Sequence, residues 1–149
     1  MAATNNENVI EETPQETWSS LENTSDALLV DVRTKAEWSF VGIPDLSPLG
    51  KQVILQEWRQ YPDMSVNESF VANIQDQFEG TVPSKIYFLC RSGVRSLEAA
   101  HVVSETLSAQ GHSVVCVNVL EGFEGDLNSD RHRGETNGWK SRGLAWGQS

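Results

Sequence analysis

The chain has 149 residues, enough for one domain with a real core, and a formal net charge of −10. Residues 1–30 hold six acids and no Lys or Arg. That acidity argues against general nucleic-acid binding, which relies on basic surface. No run of 18 apolar residues exists to span a membrane, and Met1 to Glu7 has neither the basic start nor the apolar middle of a signal peptide.

Residues 1–12 are polar and are expected to form a flexible acidic tail ahead of a single domain over 13–149. Thr13, Pro14 and Glu16 read as a helix start: Thr as N-cap, Pro in the first turn, and Glu three residues after the cap. Trp18 and Leu21 should face inward from it. The apolar run 27–32 predicts a buried parallel strand. Thr34 and Glu37 form a second capping box, so a short helix follows. Gly42-Ile43-Pro44-Asp45 reads as a turn, and Val53-Ile54-Leu55 as a short strand. Asn67 is placed to cap a helix over 68–79 with Phe70, Val71, Ile74 and Phe78 on one face. A strand over 85–89, a helix over about 96–110 stopped by Gly111, and a strand over 114–119 complete the alternation. Strands separated by helices imply a mostly parallel α/β sheet covered on both faces, with sites at the carboxyl ends of the strands. Asp31-Val32-Arg33, Cys90 to Arg95, and Glu121 to Phe123 all fall at such ends. Residues 126–149, with Trp139 and Trp146, read as an extension wrapped over the domain and anchored by its tryptophans.

Cys90-Arg91-Ser92-Gly93-Val94-Arg95 is the most informative stretch. It places a cysteine between a strand and a helix N-terminus. A curled loop there turns backbone N–H groups inward as an anion-binding nest. The helix adds unpaired N–H groups and its positive dipole end. Arg91 and Arg95 add charge. Each feature favours a sulfur anion, so the loop reads as a holder for a nucleophilic thiolate and the anion it attacks. Cys116, within the apolar run Val114-Val115-Cys116-Val117, reads as a core residue. The two cysteines make no metal-ligand pattern, and a free thiol suits a reducing, cytoplasmic setting.

These residues resemble a single-domain rhodanese. The likeness rests on Leu29-Val30-Asp31-Val32-Arg33 followed by Glu37-Trp38, on Val41-Gly42-Ile43-Pro44, on Cys90 to Arg95 followed by Ser96, and on Val119-Leu120-Glu121-Gly122-Phe123. Asn137 to Leu144 is similar to the tails of bacterial stand-alone members. The resemblance implies a central parallel five-stranded sheet with helices on both faces and a sulfurtransferase needing no metal or cofactor. Cys90 would be the nucleophile and would become a persulfide. The active loop Arg91, Ser92, Gly93, Val94 and Arg95 would bind a small anionic sulfur donor such as thiosulfate. The acceptor would be cyanide in the assay, or a thiol or protein. By the same resemblance, Arg33 pairs with Glu37 below the active loop; Asp31, from its place at a strand end, is expected to hold that loop by accepting N–H bonds. Where many relatives carry His before Ile-Pro, this chain has Gly42. Residues 56–64 are candidates for the pocket entrance, with Trp58 and Tyr61 expected to serve packing.

Three rival readings remain. A phosphatase or arsenate reductase uses a related loop, but related cell-cycle phosphatases have one more residue between Cys and Arg than the four here. A persulfide carrier would use the same Cys90 chemistry to serve a protein partner. Thiol–disulfide exchange would require Cys90 and Cys116 to meet.

Overall fold

A computed structural model describes residues 8–148. Its elements are β1 (Val9–Glu12), α1 (Pro14–Asn23), β2 (Leu28–Asp31), α2 (Lys35–Val41), β3 (Ile43–Pro44), β4 (Ile54–Leu55), β5 (Arg59–Gln60), β6 (Ser65–Val66), α3 (Phe70–Gln75), β7 (Lys85–Leu89), α4 (Val94–Ala109), β8 (Val115–Val119) and β9 (Trp146–Gly147). Five strands form one sheet in the order β1-β8-β7-β2-β4, with every pairing parallel.

Both capping boxes form. Thr13 Oγ1 accepts from Glu16 N while Glu16 accepts from Thr13 N, and Thr34 and Glu37 make the same exchange. Side chains alternate across the sheet, so each central strand supplies two cores. Val30, Ile86, Phe88 and Cys116 pack under α3 and α4 with Phe70, Ile74, Ala100 and Val103. Leu29, Tyr87, Leu89 and Val117 pack on the other face with Leu21 of α1 and with Phe123 and Trp139. Trp139 is fully buried and meets Trp18 edge-on at 5.9 Å, so the C-terminal extension completes the second core. α3 is shorter than the helix expected over 68–79. Its chain leaves the helix at Asp76 and continues in turns, and Phe78 still packs against the core.

Two expectations change. Of the tail expected over 1–12, residues 1–7 lie outside the described ones, but Val9–Glu12 form an edge strand paired to β8. Val9 packs against the core there, and the acids find specific partners: Glu12 accepts from Tyr87 Oη and Glu11 from Asn118 Nδ2. The turn expected at 42–45 is instead half of a small antiparallel sheet, Ile43–Pro44 against Trp146–Gly147. Gly42 has φ +113, and a Cβ there would lie 2.8 Å from Gly147 O and 2.9 Å from the Trp146 ring. A larger residue would therefore displace the C-terminal strand.

Candidate active site

The chain leaves β7 into a loop whose carbonyls are tied down one after another. Leu89 O accepts from Val32 N at 2.8 Å, Cys90 O from Phe123 N at 2.8 Å, and Arg91 O from Glu124 N and Gly125 N at 3.1 and 3.2 Å. The segment after β8 makes these bonds by lying directly against the loop. Gly122 permits that approach: it has φ +68, and a Cβ would overlap the Arg91 carbonyl and sit 2.6 Å from Cys90 O. Fixing the carbonyls on that side turns N–H groups the other way. Gly93, at φ +117 and ψ −5, turns its N–H onto Cys90 Sγ at 3.1 Å. α4 begins at the next residue, so the positive end of its dipole lies at this loop.

Cys90 is 1% exposed. Its sulfur also lies 3.2 Å from Ser96 Oγ. Ser96 Oγ is 2.5 Å from Asn118 Oδ1, and Asn118 Nδ2 is 3.0 Å from Glu11 Oε2. A hydrogen-bonded row thus runs from the sulfur through α4 and β8 to the edge strand β1.

The two loop arginines differ. Arg91 is exposed and makes no side-chain ion pair among the described residues. Arg95 makes a two-pronged pair with Glu37 on α2, at 2.7 and 2.9 Å. Burial, the largest single influence, pushes the Glu37 carboxyl up. The Arg95 hydrogen bonds and charge, with the Thr34 N–H and hydroxyl, outweigh it and hold Glu37 at about 2.

The pairing of Arg33 with Glu37 is therefore corrected. Residues 31 and 33 lie on the same side of the chain. Arg33, fully buried, gives Nε and Nη2 to Asp31 at 2.6–3.2 Å and Nη2 to Gly42 O at 2.7 Å. Its guanidinium lies 4.3 Å from the Phe123 ring centroid. Asp31 is corrected too. Its Oδ1 accepts the Arg33 N–H at 3.1 Å, and its other side-chain bonds also go to Arg33. The pair thus fixes the turn after β2 and does not grip the active loop.

A cavity of about 460 Å³ lies beside the loop, lined by Glu11, Ser92, Gly93, Leu97, His101 and Asn118 among others. A larger one, about 1020 Å³, lies by the amino end of β2; the smaller is the one that adjoins the active loop through Ser92 and Gly93. Trp58 of the 56–64 segment packs on Phe70 and donates to Glu98 at 2.9 Å. Tyr61 is 69% exposed and packs little. Cys116 is buried, which pushes its thiol up to about 12. It pairs with Ile86, four residues before Cys90, so the two cysteines stand about 13 Å apart along the strand direction, too far to bridge. No group of three or more His, Cys, Asp or Glu suited to a metal occurs among the described residues. Ser96, Asn118 and Glu11 were not singled out from the sequence as site residues. The available signal was Asn118, a polar side chain inside the apolar strand Val115–Val119.

A family model for the rhodanese-like domain matches residues 13–128. The crystal structure of Rv0390 from M. tuberculosis is similar at TM-score 0.80 and 42% identity, covering 94% of this chain and 98% of that one. An uncharacterized protein of Rickettsia conorii is 37% identical over 129 residues, 87% of this chain and 89% of its own. One from Rickettsia prowazekii is 36% identical over 122 residues, 82% and 84% of the two chains.

Proposed function

Because this chain belongs to the rhodanese-like domain family, a sulfurtransferase-type family, we propose that it moves a sulfane sulfur from a small anionic donor to a thiophilic acceptor through a persulfide on Cys90. The observation that carries this reading is the placement of Cys90 Sγ at the mouth of α4, with the Gly93 N–H 3.1 Å away. With thiosulfate as donor, the thiolate attacks the outer sulfur, a new S–S bond forms, and the old S–S bond breaks as its electron pair leaves with sulfite. The persulfide anion keeps the single negative charge that the thiolate carried. Cyanide then attacks the terminal sulfur, leaves as thiocyanate, and regenerates the thiolate. Loop N–H groups aimed at the developing charge stabilise both displacements.

Arg95 is turned onto Glu37, and a guanidinium already gripping a carboxylate does not offer its fork to a tetrahedral anion, thiosulfate or phosphate alike. Arg91 remains as the exposed cation to attract the donor. Incubating the reduced protein with thiosulfate and recording the intact mass tests the proposal. One added sulfur, discharged by cyanide and missing in Cys90→Ser, is the expected result. An unchanged mass with thiosulfate and with a protein persulfide donor would reject it.

A further inference from the structure

We propose that Glu11 and Asn118 are positioning residues that decide which way Ser96 shares its proton with Cys90, and so set a counterweight to the Gly93 N–H at the sulfur. The inference rests on Cys90 as the nucleophile and adds the residues that set its protonation. Direction along the row follows from the chemistry of its far end. A carboxylate only accepts, so Asn118 must turn its NH₂ toward Glu11 Oε2, 3.0 Å away. Its carbonyl Oδ1 then faces Ser96. A carbonyl also only accepts, so the one hydroxyl proton of Ser96 goes to Asn118 across 2.5 Å. Ser96 is left presenting a lone pair to Cys90 Sγ at 3.2 Å. That arrangement receives an S–H and opposes a thiolate. For the sulfur to ionise with Ser96 donating to it, Ser96 must abandon Asn118 Oδ1, which is buried and would lose its partner.

The fold is arranged to impose this. Glu11 and Asn118 are direct register partners on the parallel strands β1 and β8 and share the α4 face with Cys116. Ser96 is fully buried in the first turn of α4 and Asn118 is 2% exposed, so neither turns freely to water. The Gly93 N–H remains the donor that favours the anion. Arg95 on α4, neutralised by Glu37 of α2, is the charged group that interacts with the sulfur, and Glu11 on β1 reaches it only through Asn118 and Ser96. Glu98, His101 and Glu121 line the adjoining cavity. The row from Glu11 thus opposes the Gly93 N–H at the sulfur, and displacing β1 would release it.

Glu11→Gln tests this directly. A glutamine can donate as well as accept, so Asn118 can flip, give its NH₂ to Ser96, and let Ser96 donate to the sulfur. The pH profile of Cys90 alkylation, read by peptide mass, should move to lower pH, with the rate on its acid limb rising about tenfold. Removing the Glu11 charge would by itself produce a shift in the same direction, so the substitution is repeated in Ser96→Ala. Acting through the row, Glu11→Gln shifts the profile in the wild type and not in Ser96→Ala. An equal shift in both backgrounds would show a plain charge effect and overturn the proposal, as would no shift in either. Alkylation needs no sulfur donor, so this outcome is independent of whether the protein transfers sulfur.

Discussion

Glu37→Gln separates the two duties of the Glu37 carboxylate. Glutamine keeps an oxygen for the Thr34 capping box and loses the charge that grips Arg95. The drop of the carboxyl from 4.5 to about 2 corresponds, at about 1.36 kcal/mol per pH unit, to roughly 3 kcal/mol of stability at neutral pH. The pair retains some exposure, 15% for Arg95 and 20% for Glu37, and solvent screening reduces this to about 2 kcal/mol. A carboxyl lowered in the folded state stabilises fully above 4.5 and loses that contribution as pH falls toward 2. Urea denaturation of both proteins from pH 6 to pH 3 should show a gap of about 2 kcal/mol that shrinks to under half at the acid end. In thermal melts at pH 6 the variant should fall by about 4–8 °C. Arg95, released beside Cys90, should lower the thiosulfate KM. A stability gap that stays constant across the pH range would refute the ion-pair assignment, and an unchanged KM would refute the claim that Glu37 withholds Arg95 from the donor.

Other substitutions probe the supports of the loop. Gly122→Ala forces a Cβ into the Arg91 carbonyl at a left-handed backbone position; sulfur uptake and Cys90 alkylation should both collapse, and near-normal rates would mean the loop is not held by its carbonyls. Asp31→Asn leaves the fully buried Arg33 charge without its counter-ion, so the denaturation free energy should drop by about 3–5 kcal/mol. A loss below 1 kcal/mol would show that Gly42 O and the Phe123 ring suffice for Arg33.

Much of this architecture is readable from local signals. The boxes at Thr13–Glu16 and Thr34–Glu37 start helices where expected because a cap is a contact between residues three apart. The apolar runs before Asp31 and Cys90 become central strands of the parallel sheet because they are buried on both faces. What escaped depends on partners distant in sequence. Val9–Glu12 look like tail because two of their four residues are acidic, and only β8 makes a strand of them. The resemblance pairs Glu37 with Arg33, and the fold joins it instead to Arg95, 58 residues away, because Arg33 is already held by Asp31. Ile43–Pro44 carry turn chemistry, yet their partner strand lies at Trp146–Gly147.

The place of β1 has a consequence for synthesis. Its one neighbouring strand in the sheet is β8, and Glu11 meets a partner 107 residues later in the chain. At about 5–20 residues per second, the ribosome leaves that edge unpaired for roughly 5–20 s. Cys90 is made within that interval, before Asn118 exists to orient Ser96. The nascent chain therefore carries its cysteine ahead of the strand whose Asn118 orients Ser96.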